Sequence, residues 1–230
     1  MIAAIIVAGG KGTRMGADVD KLFLELHGAP ILAHTWRRFD TAPDIHEIIL
    51  VVRQGLQESV QALARQSHFT KNFRIVIGGK ERQDSVWNGL QALPSETELV
   101  AIQDAARPCT THTLIAATIA AARQTGAAVA AQAVTDTIKE STDGNLIERT
   151  VDRSRLWAVQ TPQTFRVEVI RQALAEVRKR GLLVTDDTAA CELLGHPVQL
   201  VPTAQPNPKV TRPEDLPYVE FLLQKIDNNR

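Results

Sequence analysis

Short runs of isoleucine and valine alternate with amphipathic or alanine-rich stretches along most of this chain, and this alternation restricts its fold more than any other feature. Such apolar runs indicate strands that are buried on both faces of a sheet. Strands that alternate with helices form βαβ units, so we expect an α/β fold with a mainly parallel, twisted sheet flanked by helices. The predicted strands are AAIIVA, EIILVV, RIVIG, LVAIQ, AAVAAQAV and VQLVP.

Helices are predicted between and after these strands. Thr111 is a good N-cap for one of them, and Gly126 is a good residue to end it. In the last helix, Thr211 and Glu214 have the spacing of a capping box and Pro213 lies in the first turn. The predicted helices are Asp84 to Leu93, Thr111 to Gln124, Arg166 to Arg180, Asp186 to Leu194, and one that begins at TRPEDL.

One segment departs from this pattern. TDTIKESTDGNLIERTVDRSRLW alternates apolar and polar residues around Asp143-Gly144, which predicts a β-hairpin that protrudes from the α/β body. A two-stranded ribbon is only marginally stable alone in water, so a second copy of the chain is the simplest surface for it to pack on. We therefore expect a single domain over residues 1–230 with a β-arm at about 135–157.

Charge and cysteine content exclude several function classes. The 26 basic and 26 acidic side chains cancel, whereas sequence-independent binding of nucleic acid requires a positive field. The apolar start MIAAIIVA is too short and lacks the basic flank of a signal peptide or membrane span. Cys109 and Cys191 lack metal-ligand spacing, which favours a reducing compartment. We expect a soluble, cytoplasmic protein that binds neither nucleic acid nor membranes.

A glycine-rich turn follows the first strand directly. Gly9, Gly10 and Gly12 leave room for backbone N–H groups to approach a phosphate. The dinucleotide-binding pattern is not met, because Met15 stands where its third glycine is needed, and the Gly-Lys-Ser/Thr ending of a P-loop is absent.

Arg14 and Lys21 follow this turn. An isolated cation is ordinarily a solvated surface charge, but the position after a buried strand favours a binding role for both. The stretch AGGKGTRMG with Asp20-Lys21 resembles the signature of nucleotidyltransferases that make activated sugars and alcohols, a group that includes molybdopterin guanylyltransferases. The resemblance implies that the loop wraps a nucleoside triphosphate and that an Arg and a Lys neutralise its phosphates. For Lys11, a backbone N–H contact with an exposed side chain stays open as an alternative.

Further motifs make the resemblance specific: GGKERQDSV, QDAARP, TDTIK, TVDRSRLWAVQTPQTF, TDD and NPKVTRPEDL. The chain resembles the 2-C-methyl-D-erythritol 4-phosphate cytidylyltransferase family from end to end. The resemblance implies a Rossmann-like nucleotidyltransferase domain and a homodimer joined through the arm. It also implies transfer of a cytidylyl group from CTP to 2-C-methyl-D-erythritol 4-phosphate, with Mg²⁺, in non-mevalonate isoprenoid biosynthesis.

The same resemblance implies roles for individual residues. Asp104, at the carboxyl end of a predicted strand where open parallel sheets place ligands, is expected near the α-phosphate, the magnesium ion and the acceptor. The residues expected to take part in catalysis are Arg14, Lys21, Asp104 and Lys209. Those expected to hold CTP are Ala8, Gly9, Gly10, Gly12, Arg14, Lys21, Gly79 and Ser85. Those expected to bind the acceptor are Arg107, Thr161, Thr185 and Lys209, with Thr137 and Arg153 lent by the arm of the other subunit.

Alternatives stay open for some of these residues and for the activity. Thr185 is a possible N-cap of the helix at Asp186. Thr137 is also an ordinary β-former, and Arg153 beside Asp152 is also a weak surface pair. The nearest enzymatic alternatives are a ribitol-5-phosphate cytidylyltransferase and a molybdopterin guanylyltransferase, and a non-catalytic nucleotide-binding regulatory module is the alternative from another class.

Overall fold

The computed structural model describes residues 1–9 and 21–228 of the 230-residue chain. The strands in these residues are β1 (Ile2–Ala8), β2 (Glu25–Leu26), β3 (Ala29–Pro30), β4 (Glu47–Val52), β5 (Asn72–Ile77), β6 (Leu99–Asp104), β7 (Ala127–Ala133), β8 (Lys139–Glu140), β9 (Arg149–Thr150), β10 (Trp157–Arg166) and β11 (Gln199–Pro202). The α-helices are α1 (Ile31–Asp40), α2 (Gln57–Ser67), α3 (Arg82–Gln91), α4 (His112–Thr125), α5 (Val167–Lys179), α6 (Asp187–Glu192) and α7 (Leu216–Asn228). Short 3-10 turns lie at Lys21–Phe23, Arg153–Arg155 and Pro213–Asp215.

Among the described residues, seven strands form one sheet in the order β11-β7-β10-β6-β1-β4-β5. The pairs β1–β4, β1–β6, β4–β5 and β7–β11 are parallel, and β10 runs antiparallel to both β6 and β7. All the predicted strands are present in this sheet. The α/β fold with a mainly parallel sheet is therefore confirmed.

The reversed strand β10 was not predicted. Its sequence contains Pro162, and proline is rare inside a central strand because it has no N–H for the ladder. The pairing register with β7 shifts between Val159 and Gln163, and this irregularity accommodates the proline. The same irregularity leaves the Thr161 hydroxyl free to accept a hydrogen bond from the backbone N–H of Asp104, at 3.1 Å.

The apolar strands are explained by two separate hydrophobic clusters. In β1, Ala4 and Ile6 belong to a cluster that also contains Trp36 and Phe39, while Ile5 belongs to a second cluster. Successive residues of a strand point to opposite faces of the sheet, so both faces of β1 must be apolar. Both cysteines, Cys109 and Cys191, are buried.

The helix ends show where the local sequence was sufficient to predict the structure and where it was not. The predicted cap of α4 is confirmed, since the Thr111 hydroxyl accepts from the Leu114 N–H at 3.2 Å and Gly126 ends the helix at φ +87°. The predicted start of α3 at Asp84 is two residues late, because Asp84 occupies the third helical position and accepts from the Glu81 N–H. Helices α1 and α2 were not among the predicted ones.

The predicted capping box before α7 pairs the wrong residues. The Asp215 carboxylate, not that of Glu214, accepts from the N–H and hydroxyl of Thr211 and from the N–H of Arg212. A 3-10 turn at Pro213–Asp215 precedes the helix and has Arg212 as its N-cap, so Asp215 takes the third position and the box is shifted by one residue from the predicted pair.

The hairpin arm is present between β7 and β10. Its ladder is short, with Lys139 opposite Thr150 and Glu140 opposite Arg149. In the connecting loop the Asp143 carboxylate accepts from the N–H groups of Asn145 and Leu146, and Gly144 has a φ of +74°. Most residues between 135 and 157 are exposed, so the arm packs little against the two hydrophobic clusters.

Candidate active site

Asp104, the last residue of β6, lies at the edge where the parallel strands end. Its neighbour Ala105 donates its N–H to the carbonyl of Val7 at 3.1 Å, which holds the chain beside the end of β1. The N–H of Asp104 donates to Thr161. Because these bonds fix the backbone on both sides, the carboxylate has a defined position at the carboxyl edge of the sheet, where open α/β sheets bind ligands.

A cavity of about 410 Å³ opens at this edge. Glycine loops, one acidic strand end and several cations form its wall. The lining residues are Val7, Gly9, Lys21, Leu22, Arg53, Gly79, Lys80, Glu81, Arg82, Ser85, Asp104, Ala105, Ala106 and Lys209. Its size is within the range of small-molecule sites.

Two cations among the described residues hold the Asp104 carboxylate. Lys209 Nζ lies 2.6 Å from Oδ2, and Arg82 Nε lies 3.2 Å from Oδ1. Burial favours the protonated form, but Arg82, Lys209 and Arg107 outweigh it and lower the pKa of Asp104 to about 2. Asp104 is therefore an anion at neutral pH, in a wall that carries an excess of positive charge.

Arg82 connects Asp104 to a second carboxylate. Its Nη1 donates to Asp187 Oδ2 at 2.8 Å. Burial alone disfavours the guanidinium charge, but Asp187 and Asp104 reverse this effect and raise the pKa of Arg82. Asp187 is completely buried, and burial raises its pKa against the opposing effect of Arg82. Its other oxygen, Oδ1, has no hydrogen-bond partner among the described residues.

The C-terminal segment closes one side of the cavity. Asn207 is buried and anchors this segment. Its side-chain amide donates to the Thr161 carbonyl at 2.8 Å, and its backbone carbonyl accepts from Arg107 Nη1 at 2.6 Å. The N–H of Val210 donates to the carbonyl of Ala106 at 2.9 Å, while the Val210 carbonyl accepts from Lys21 Nζ at 3.1 Å. These bonds bring Lys21 and the neighbouring Lys209 to the same cavity.

A second glycine turn, at Gly78-Gly79, also lines the cavity. The N–H of Gly79 donates to the Ser85 hydroxyl at 3.1 Å, and that hydroxyl donates to the Glu81 carbonyl. A Cβ on Gly79 would collide with Asp84, and one on Gly78 would lie 2.7 Å from the Ser85 oxygen. Only glycine fits so close to the start of α3.

Most residues predicted for the site meet at this edge. Those that line the cavity are Gly9, Lys21, Gly79, Ser85, Asp104 and Lys209. Ala8 is buried at the end of β1, while Thr161 and Arg107 lie behind the wall, bonded to Asp104 and Asn207 respectively. Gly10, Gly12 and Arg14 lie outside the described residues. The ligand contacts of all these residues stay predictions.

Three predicted residues lie away from this cavity. Thr137 and Arg153 are exposed on the arm, where Arg153 donates to the carbonyl of Thr135. Thr185 is exposed next to α6. The alternative of Thr185 as the helix cap is wrong, because the Asp186 carboxylate accepts from the Ala189 N–H at 2.9 Å and fills that position itself.

The sequence interpretation missed Arg82, Asp187 and Asn207. A signal was present for Arg82, since it follows a glycine pair after a predicted strand, as Arg14 and Lys21 follow the glycine turn after the first strand. Asp187 and Asn207 lie in the motifs TDD and NPKV, but no local pattern indicates that either side chain is buried beside the cavity.

Comparison with known proteins gives a consistent result. The family model for IspD, 2-C-methyl-D-erythritol 4-phosphate cytidylyltransferase, matches residues 2–225. A protein of that name from Desulforamulus reducens is 44% identical over 97% of this chain and 96% of its own length. Another from Geobacillus thermodenitrificans is 44% identical over 96% of each.

Solved structures agree with the sequence relatives. The 4-diphosphocytidyl-2C-methyl-D-erythritol synthase of Anaerococcus prevotii superposes with a TM-score of 0.86 at 30% identity, covering 97% of this chain and 96% of that one. The 2-C-methyl-D-erythritol 4-phosphate cytidylyltransferase of Thermus thermophilus gives 0.80 at 31% identity, covering 97% and 100%. The chain thus belongs to the 2-C-methyl-D-erythritol 4-phosphate cytidylyltransferase family.

Proposed function

We propose that this chain transfers the cytidylyl group of CTP to 2-C-methyl-D-erythritol 4-phosphate in non-mevalonate isoprenoid biosynthesis. The products are 4-diphosphocytidyl-2-C-methyl-D-erythritol and pyrophosphate. The observation that carries the proposal is the family match over residues 2–225, which includes every described residue of the cationic cavity around Asp104.

The chemistry requires two anions to meet. An oxygen of the acceptor phosphate attacks the α-phosphorus of CTP in line, and the bond from that phosphorus to the bridging oxygen of pyrophosphate breaks. Such a transfer needs positioning and neutralisation of charge more than a protein nucleophile. Lys21, Arg82 and Lys209 supply cations within one cavity, which suits this requirement. Arg14 is the further cation that the sequence predicts for the triphosphate.

The donor set also fits a magnesium ion that is shared with the nucleotide. Mg²⁺ commonly binds one or two carboxylates and completes its coordination with phosphate oxygens and water. No cluster of three or more acidic, His or Cys ligands exists in residues 1–9 and 21–228, so Asp104 would hold the ion together with CTP. When bound, the ion would neutralise phosphate charge. Lys209 and Arg82 keep the Asp104 carboxylate ionised and oriented before substrates arrive.

The proposal includes a homodimer joined through the arm. Leu146 and Ile147 at the arm loop are 74% and 65% exposed, and large apolar side chains with this exposure favour contact with another surface. Thr137 and Arg153 do not line the cavity of their own chain, which is compatible with service in a partner's cavity. No helix within the described ranges has the length and apolar character of a membrane span. A cytoplasmic location stays a prediction.

Pyrophosphate release from a panel of substrates tests the proposed activity. Each of the four common ribonucleoside triphosphates is combined with 2-C-methyl-D-erythritol 4-phosphate or with ribitol 5-phosphate, in the presence of Mg²⁺. We expect the largest kcat/KM for CTP with the methylerythritol phosphate. A larger value with ribitol phosphate or with GTP would replace the proposed substrate, and nucleotide binding without turnover in any pair would support a regulatory module.

A further inference from the structure

The buried carboxylate of Asp187 has no role in the reaction described so far. It is the first residue of α6, and Arg82 of α3 is its ionic partner. One of its oxygens contacts Arg82, and the other is buried without a hydrogen-bond partner among the described residues. A half-satisfied buried carboxylate is costly, so its presence needs an explanation.

Stability is a poor explanation for this ion pair. A buried charge pair often contributes no more than well-packed apolar side chains of similar volume, because both charges lose their hydration. α6 is short, and its N-terminus is already capped by the neighbouring Asp186. The explanation for the Arg82–Asp187 contact therefore lies where the arginine faces the cavity.

The geometry of the Arg82 guanidinium at the cavity supplies this explanation. Nε of Arg82 contacts Asp104, and Nη1 contacts Asp187. A guanidinium is planar and has five N–H donors in fixed directions, so two anchors on different nitrogens determine both its place and its plane. The Arg82 side chain lines the cavity and is 27% exposed, so part of it is still accessible to a ligand.

We propose that Asp187 is a positioning residue that acts through Arg82: it fixes the guanidinium so that Arg82 orients Asp104 and directs its remaining N–H groups toward the nucleotide phosphates. Asp187 does not touch the substrates itself. The inference rests on the proposed cytidylyl transfer for the identity of the reacting phosphate. A misplacement of about 1 Å at a reacting centre can lower a rate about 100-fold, so a remote anchor of this kind has a measurable effect.

A set of variants tests this route of action. Asp187→Asn keeps the shape of the side chain but removes its charge, and we expect kcat to fall about 10-fold to 100-fold, with kcat/KM falling alongside it. Asp186→Ala is the matched control, because it removes the side chain that caps the same helix without touching Arg82, and it should leave kcat within about twofold. Equal losses in the two variants would assign the effect to α6 folding and overturn the proposal.

Chemical rescue separates positioning from a general structural role. Arg82→Ala should regain activity in millimolar guanidinium chloride, with sodium chloride as the control salt. The double variant Arg82→Ala/Asp187→Asn should not, because the guanidinium ion then lacks its second anchor. The double variant should also be no slower than Arg82→Ala alone. Equal rescue in both, or losses that multiply, would overturn the proposal.

Two measures keep the result interpretable. If Asp187→Asn does not fold, Arg82→Lys replaces the two-anchor guanidinium by a point cation while leaving Asp187 paired, and an unchanged kcat in that variant would contradict the proposal. All rates are measured with the nucleotide and acceptor that wild-type protein turns over fastest. A wrong acceptor then changes the proposed function but not the outcome of this test.

Discussion

The cavity edge of the sheet and the hairpin arm both carry ion pairs, but they hold them in different surroundings. At the cavity, the side chains of Asp104 and Asp187 are 12% and 1% exposed beside Arg82. On the arm, those of Glu140 and Arg149 are 47% and 69% exposed. The arm pair is therefore screened by water and salt, while the cavity pairs are screened much less.

This difference shows what each region can do. Weakly screened charges at the cavity shift one another's pKa values and keep side chains in place before a ligand binds. The arm depends on local turns and two ladder pairs, and its apolar residues face solvent in the isolated chain. The cavity is organised within one chain, whereas we expect the arm to gain its function by contact with another chain.

The largest effect is expected at the cavity. Lys21→Ala removes a preorganised cation from the proposed triphosphate site, and loss of one such donor typically lowers kcat by about 100-fold or more. Steady-state pyrophosphate release measures the loss, and circular dichroism verifies the fold. Lys179→Ala, at an exposed lysine on α5, is the matched control and should have wild-type activity. Near-normal turnover in Lys21→Ala would contradict this role.

A smaller effect is expected on the pH dependence of stability. The folded-state pKa of Asp104 is about 2, below its ordinary value of 3.8. Its ionic contacts therefore stabilise the fold fully above about pH 4, and this contribution is lost as the pH falls toward 2. In urea unfolding, the difference in free energy between wild type and Asp104→Asn should shrink by about 2 kcal/mol between about pH 5 and pH 2. A difference independent of pH would show that the cations do not act on this carboxylate.

Mixing of subunits tests whether the arm completes the partner's cavity. Lys21→Ala and Arg153→Ala subunits are inactive alone if each site needs Lys21 from one chain and Arg153 from the other. In an equal mixture, half of the dimers are heterodimers with one intact site, so activity should return to about a quarter of the wild-type value. A mixture that stays as inactive as the separate variants would place both residues in one chain's site.

The smallest effect is expected within the arm itself. Glu140→Gln removes the charge that pairs with Arg149 in solvent, and exposed pairs of this kind contribute little to folding. The urea midpoint of the variant should equal that of wild type at low and at high salt. A marked loss at low salt only would show that the arm pair is less screened than its exposure indicates.

The main sheet was predictable because its signal is local. The central parallel strands β1, β4 and β6 are apolar and buried along nearly their whole length, and the alternation with helices leaves few other arrangements. β10 was missed because its sequence mixes polar residues with Pro162, and its place between β6 and β7 depends on partners distant in sequence. The N-cap of α4 could be predicted from Thr111 alone. The cap by Asp215 belongs to a 3-10 turn that no nearby residue predicts.

The site was predictable only where residues match motifs of the family. Asp104, Lys21 and Lys209 were assigned in this way and meet at one cavity. Arg82 and Asp187 contact each other across 105 residues of sequence. Asp187 stands out because it is buried. The burial of a single polar residue depends on tertiary packing, which the periodicity of the sequence does not predict.

The bonds of the C-terminal segment have a consequence for synthesis of the chain. Lys21 donates to Val210 across 189 residues, and Lys209 contacts Asp104 across 105. A nascent polypeptide that has emerged from the ribosome only as far as β11 has the strand edge but neither Lys209 nor the Val210 carbonyl. Asp104 then lacks the cation of Lys209 until that segment has emerged. Catalytic competence should therefore arise only after residues 207–210 have emerged, and a pulse-labelled chain stalled before residue 207 should not turn over substrate.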